Sequence, residues 1–279
     1  WGCGSEPVTP LKPPVKKRPS PQPHTFPLLN SPSDSVGMTG TLLKKAPILH
    51  HDVMQIPLPN GLSVHDSSVS GALAVYEEIF TNRCYAQHGI EIKDGDAIVD
   101  IGANVGLFPL WLSTFLTNAT IHCFEPVPQV VRMCRTNLHK HCKLDARLHP
   151  LGIAQHTGSQ QVRWCPRLSQ VCSIDGQTQE QQDANIAYAA ERIADHISLP
   201  HYLRLQMAKV VMGWMTQSIK MNCRFLSWPD AAKRYGWGEI DLVKVDAEGS
   251  ELGILQSMFP FAGIRQLVVE AHSPPSAVA

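Results

Sequence analysis

No CxxC pair, no bilayer-length apolar run and no excess of either charge sign occurs in this sequence of 279 residues. The longest nearly apolar stretch, Val105 to Leu116, has 12 residues with Pro109 inside it, whereas a membrane-spanning helix needs about 20. No membrane span is expected. With 24 Lys and Arg against 24 Asp and Glu, the chain has no global field with which to hold nucleic acid or an anionic membrane. A nucleic-acid partner is therefore not expected. The eight cysteines, at positions 3, 84, 123, 134, 142, 165, 172 and 223, are scattered, in a chain large enough to do without covalent staples. They read as reduced, mostly buried thiols of a cytosol-like compartment. His139, His141 and Cys142 read as a basic helix end explained by the helix dipole, and no metal site is expected. A hydrophobic content of 43% is enough to bury a core.

Neutrality conceals an asymmetry. Residues 1–47 carry six Lys or Arg against Glu6 and Asp34, and hold 10 of the 22 prolines. Few large apolar side chains are present there to offset the entropy of ordering. This stretch reads as a disordered Pro/Lys-rich tail or linker, and its basic, acid-poor composition leaves organelle targeting open beside a cytoplasmic location. Because the first residue is Trp rather than Met, the chain is expected to begin inside a longer reading frame or after processing.

Residues 48–279 read as one domain. In Ser70 to His88, residues Leu73, Tyr76, Ile79, Phe80 and Tyr85 fall near helical spacing, with Gly89 placed for a left-handed cap. A turn at Lys93 to Asp96 precedes Ala97 to Ile101, a short apolar run of the kind found in buried parallel strands. Helix is expected from Asn104. A second strand, Thr120 to Phe124, ends at Glu125, and Pro126 and Pro128 open a helix to about Lys140. Further strands are read at Arg147 to Ile153, Gln161 to Trp164, Ile240 to Val245 and Gln266 to Glu270. Strands alternating with helices imply an α/β fold with a mostly parallel, doubly wound sheet. The segment 173–222 breaks the alternation. Ile186, Ala190, Ile193 and Ile197, then Met207, Val210, Val211, Trp214 and Met215, recur at helical spacing, so a helical insertion is expected, either capping the active edge or serving as packing or an oligomer surface.

The chemistry concentrates at Asp100-Ile101-Gly102-Ala103-Asn104-Val105-Gly106, on the first strand-to-helix turn. Glycine there lets backbone approach a ligand, and a helix start offers unpaired N–H groups. Glu125 ends the next strand 23 residues after Gly102, the spacing at which an acid reaches the ribose of an adenosine cofactor. A dinucleotide site would place its pyrophosphate on a G-x-G-x-x-G loop. Here Asn104 occupies the middle glycine position and Asp100 precedes the loop. An acid in that place suits a cation without phosphate, which favours S-adenosylmethionine over NAD.

VDIGANVG (99–106), FEPVP (124–128), LGIA (151–154), DLVKVDAEGSE (241–251) and LVVEAH (267–272) together resemble the FkbM family of S-adenosylmethionine-dependent methyltransferases. YEEIFTNRCYAQHGI (76–90) also resembles the lead-in of FkbM-type domains in polyketide and nonribosomal peptide assembly lines. The pattern Lys244, Asp246, Glu248, Gly249, Glu251 is intact and in register with the glycine loop. The resemblance implies a Rossmann-like fold of the class I methyltransferase type, and methyl transfer usually to a hydroxyl oxygen. The acceptor would be a small molecule, a glycan or a carrier-bound intermediate. It places Asp100, Gly102, Asn104 and Gly106 around the amino acid end of the cofactor, Glu125 on the ribose, and Leu151 with Gly152 beside the adenine.

Methyl transfer is an in-line displacement, so the protein mainly aligns the reactants and excludes water. A hydroxyl nucleophile benefits from a base, for which Asp246 is the first candidate and His272 the second. Glu248 and Glu251 are candidates for the substrate pocket. Alternative roles remain open: Asp246 and the acids after it capping the Ser250 to Met258 helix, Glu251 on the helix surface, and Lys244 as a structural ion-pair partner. Relatives of this type continue into a helix and a final antiparallel strand pair. Here only SPPSAVA follows His272, so the last two strands are expected to be absent, leaving an open edge through which the chain could oligomerise, as it could through the insertion; the alternative reading is a truncated or non-catalytic cofactor-binding protein of the same fold.

Overall fold

The computed structural model describes residues 53–167, 172–174, 203, 206, 210 and 217–270. A hairpin of β1 (Met54–Pro57) and β2 (Ser63–Asp66) leads into helix α1 (Val69–Tyr76). Ser68 caps that helix by accepting from the Gly71 N–H at 3.0 Å, as N-terminal hydroxyls do. Then follow β3 (Ala97–Ile101), α2 (Leu107–Leu112), β4 (Thr120–Phe124), α3 (Pro128–His141), β5 (Asp145–His149), β6 (Gly152–Ile153), β7 (Gly158–Trp164), β8 (Cys172–Ile174), β9 (Ile219–Leu226), α4 (Trp228–Tyr235), β10 (Leu242–Val245), α5 (Glu251–Met258) and β11 (Leu267–Val269).

The central sheet has five strands in the order β11-β10-β3-β4-β5, every neighbouring pair parallel. This is a Rossmann-like, doubly wound fold. The chain leaves β3 toward β4 and β5 and later returns to its other side with β10 and β11. The order therefore reverses between β3 and β10, the position at which open α/β sheets bind ligands. Both faces of the sheet are covered. Ile98, Ile121, Cys123 and Leu242 pack with the hairpin, α1, α2 and α3, while Val99, Ile101, Phe124, Val243 and Val245 pack with α4 and α5. Alternate residues of each strand thus enter different core layers, which is why these strands read as continuous apolar runs. Asn137 of α3 ties the hairpin on: its amide donates to the carbonyls of His65 (3.0 Å) and Val105 (2.9 Å) and accepts from the His65 N–H (2.7 Å).

The structure differs from the sequence reading at four places. The expected helix from Ser70 to His88 ends as α-helix at Tyr76, continues as a π-turn over Glu77–Thr81, breaks at left-handed Arg83 (φ 50) and resumes as a single turn at Cys84–Ala86. Tertiary contacts of Tyr85 at the sheet edge outweigh the regular period, and Leu73, placed on the expected apolar face, is 40% exposed. The third strand, read as 147–153, is two strands in different sheets. Pro150 between them has no N–H for a ladder, and Leu151 turns back onto the His149 carbonyl. The borders of segment 173–222 are not helical: β8 and β9 join β6 and β7 in a four-stranded sheet of order β6-β9-β7-β8. Within the segment Leu203, Gln206 and Val210 are helical, and the remainder lies outside the described residues, as do the 1–47 tail and His272. Finally, the hairpin and α4 carry no sequence expectation.

Candidate active site

A cavity of about 400 Å³ opens at the reversal point, floored by the ends of β3 and β10 and walled by α1, the π-turn and β11. Gly102 follows β3 with φ +79, and a Cβ there would collide with the main-chain carbonyl oxygen of Asp246. Only glycine lets these two strand ends come together, since a left-handed residue with a side chain would be both strained and blocked. Ala103 and Asn104 then turn the chain, and Gly106 opens α2. The turn is braced by Glu125, whose carboxylate accepts from the N–H groups of Asn104 (3.1 Å) and Val127 (2.8 Å). Burial pushes the Glu125 carboxyl up to about 7, against these two backbone bonds, which favour its charged form.

Beneath the loop lies a buried charge cluster that the strand register creates. Lys244 pairs with Asp100 across β10 and β3, and both side chains point to the same face. The Lys244 ammonium sits 3.1 Å from Asp100 Oδ1 and 3.3 Å from Asp246 Oδ2, and donates to the Gly102 carbonyl at 3.2 Å. Burial alone would lower the lysine's pKa; Asp100 and Asp246 outweigh burial and raise it. Asp100, wholly buried, is raised by desolvation despite the lysine's opposing pull. The pair is best described as an ammonium held charged between two carboxylates.

Above the lysine the Tyr85 ring lies with its centroid 5.0 Å from Nζ and meets Phe108 edge-on at 5.4 Å. The Tyr85 hydroxyl is 3.1 Å from Asp246 Oδ2 and 2.8 Å from Glu270 Oε2. Burial, and after it the charges of Asp246 and Glu270, raise the phenol far above its ordinary range, so it stays protonated. The thiol of Cys84 is likewise pushed up to about 12 by burial and the nearby Glu78 and Glu270. It is no thiolate nucleophile. Carboxylates predominate around the cavity: Glu78, Glu125, Asp246, Glu248 and Glu270 line it, with Lys244 the basic residue among the described lining.

Comparison with known proteins gives this geometry its context. The profile of the methyltransferase FkbM domain matches residues 100–279. The chain belongs to the FkbM methyltransferase family. Among curated relatives of this FkbM chain, the 31-O-demethyl-FK506 methyltransferase FkbM of Streptomyces tacrolimicus is 28% identical over 81% of this chain and 85% of its own length. Methyltransferase sdnD of Sordaria araneosa is 27% identical over 76% of this chain and 80% of its own. A third match, at 23% identity over 78% of this chain, falls on a tenth (10%) of the AMB antimetabolite synthetase AmbE of Pseudomonas aeruginosa.

Of the residues singled out from the sequence of this FkbM chain, Gly102, Asn104, Glu125, Gly152, Asp246 and Glu248 line the cavity together. Asp100 lies below it on Lys244, Gly106 begins α2, and Leu151 is packed into the core layer under α4 and α5. Glu251 does not reach the cavity lining. Its carboxylate accepts from the N–H groups of Ala247 (3.2 Å) and Gly249 (2.9 Å), and so closes the turn in which Glu248 is left-handed (φ 48). The helix that follows has Ser250 at its N-cap and no side-chain cap, so the capping role considered for Asp246 is not filled. Glu270 and Glu78 had no role in the sequence reading, although Glu270 stands inside the LVVEAH motif; Tyr85 was read only as part of a helix's apolar face, and Lys244 was given only the ion-pair role it has. The signal for Glu270 was available as an acid at the carboxyl end of an apolar parallel strand.

Proposed function

We propose that the protein is an S-adenosylmethionine-dependent O-methyltransferase acting, in the cytoplasm, on a small-molecule, glycan or carrier-bound biosynthetic intermediate. The observation that carries this reading is the meeting, around one cavity, of a glycine turn braced by Glu125 with the Asp246 carboxylate. The residues present suit the methyl donor. The Oδ1 of Asn104 is buried without a hydrogen-bond partner on the cavity wall, and an unmatched acceptor at that depth calls for a donor such as an ammonium. Each oxygen of Glu125 accepts one backbone bond and keeps a second lone pair for a ribose hydroxyl. A Cβ at Gly152 would strike the Phe225 ring, so glycine keeps the strand beside the expected adenine position close-packed.

The cofactor would supply a methyl group already activated on a sulfonium. The protein's own residues would do the rest by alignment, water exclusion and proton removal. Val75, Ile79 and Phe108 give the acceptor side an apolar wall. Asp246 Oδ2 is engaged by Lys244 and Tyr85, and Oδ1 is left to take the proton of the acceptor hydroxyl. Glu248 is assigned to the acceptor side. The name of the Streptomyces relative describes methylation of an oxygen, which supports the same choice here.

Calorimetric titration with S-adenosylmethionine and S-adenosylhomocysteine tests the reading. Micromolar binding is expected, weakened about tenfold or more in Glu125→Ala through loss of hydrogen bonds to a charged group. Asp246→Asn is expected to retain affinity for S-adenosylhomocysteine and to lose turnover in an acceptor screen by a factor on the order of 10²–10⁴. A folded chain that binds neither compound overturns the proposal.

A further inference from the structure

We propose that Glu270 is a second carboxylate facing the reacting centre, and that Tyr85 positions it by tying it to Asp246. The inference rests on the cofactor assignment above and extends it to residues of this chain that the motif comparison leaves without a role. Asp246 follows β10 and Glu270 follows β11, two adjacent parallel strands, and the Glu270 N–H is bonded to the Val245 carbonyl at 2.9 Å. The backbone therefore delivers two carboxylates to the same edge of the cavity, where they repel each other. A single phenol stands between them, 3.1 Å from one and 2.8 Å from the other.

Its ring is fixed independently of its hydroxyl. Phe108 meets it edge-on and the Lys244 ammonium lies against its face. Tyr85 is 4% exposed, and the broken helix before it, with left-handed Arg83, directs it there. A phenol has one proton to give, so the two carboxylates share one donor while Lys244 balances the charge on the Asp100 and Asp246 side. Among the described residues the cavity lining sets Lys244, its basic side chain, against Asp246, Glu270 and three further acidic residues, so acidic groups are in excess there. Such an edge favours a ligand that brings positive charge over its neutral counterpart. The methyl donor is a cation at sulfur, and the thioether left after transfer is not, so the Asp246 and Glu270 pair would hold the donor more tightly than the product.

The test compares two binding constants in each variant. Sinefungin, which carries an ammonium where the donor carries its methyl sulfonium, and S-adenosylhomocysteine, which is neutral there, are titrated calorimetrically into the full chain. Wild type is expected to prefer sinefungin by about tenfold, the scale of one hydrogen bond to a charged group. Glu270→Gln and Tyr85→Phe, the latter keeping the ring against Phe108 and Lys244, are expected to abolish most of that preference while holding S-adenosylhomocysteine within about twofold of wild type. A purely structural role would weaken both ligands together and leave their ratio intact, which would overturn the proposal. A ratio lost in Glu270→Gln but kept in Tyr85→Phe would overturn the positioning role of the tyrosine. Failure of both ligands to bind folded wild type would instead refute the cofactor assignment, and this inference with it.

Discussion

Two regions of the same sheet bury ionisable side chains and treat them in opposite ways. Under the cavity, the Lys244 ammonium is held charged between Asp100 and Asp246. On the adjoining strands β4 and β5, on the other face, His122 and His149 face each other at 3.0 Å within a nest of rings. His149 lies 4.6 Å from Phe124 and 4.1 Å from Tyr235, and Trp237 meets His122 edge-on at 5.4 Å. Burial pushes both imidazoles down to about 4, with Arg147 adding to the effect on each. They are neutral at physiological pH. What separates the regions is the neighbour set rather than depth: a buried group stays charged only where opposite charge stands beside it, and otherwise neutralises. The charged region lies at the strand-order reversal against the cavity, and the neutral one on β4 and β5 among aromatic side chains.

The comparison is broken most severely by removing the central cation. Lys244→Met leaves Asp100 buried without its counter-charge, and a loss of about 3–5 kcal/mol in folding stability is expected, read by urea denaturation. The double variant Asp100→Leu with Lys244→Met should recover most of that loss, since an apolar replacement of both partners removes the desolvation cost too. A smaller effect comes from Gly102→Ala. Strain at a positive φ alone costs about 1–3 kcal/mol, and contact with the Asp246 carbonyl adds to it, so a lowered melting temperature with loss of cofactor binding is expected.

Acid titration sharpens the comparison, because the two regions contribute slopes of opposite sign. The histidines bind protons more weakly in the folded chain, so between about pH 6.5 and 4 the unfolded chain holds more protons. Stability contributed by the rings is lost as pH falls through that window, by up to about 1.4 kcal/mol per pH unit for each histidine. Glu125 titrates the other way. Raised to about 7, it makes the folded chain the better proton binder above its unfolded value, and its contribution is lost as pH rises toward 7. Glu125→Gln should therefore steepen the fall in stability on acidification, and His149→Gln should flatten it. Urea denaturation at a series of pH values reads both.

Much of the site was legible before the structure because it is local. The strands Ala97–Ile101 and Thr120–Phe124 have the bounds their apolar runs indicate, and the turn chemistry of Gly102 and the reach of Glu125 depend on spacing along a single βαβ unit. Glu251 misled for an equally local reason: placed in a motif beside Asp246, it looked like pocket, whereas three residues of turn swing its carboxylate onto the Ala247 and Gly249 N–H groups. The second sheet was missed because its strands are brought together from positions far apart. Gly158 pairs with Phe225 and Gly152 with the same residue from the other side, and no period within either segment records that meeting.

The sequence by itself determined the β3-α2-β4-α3 unit, the glycine turn with its acidic brace, and membership of the FkbM family, because each rests on residues near one another along the chain. The tertiary structure decided which charges are balanced and which face the cavity. Asp100 and Lys244 are 144 residues apart and become partners only through the register of β3 with β10. Tyr85 reaches Asp246 and Glu270 only because its helix breaks before the sheet edge. Electrostatic roles depend on distances in space of a few ångströms, and those distances exist only after the strands have been set side by side.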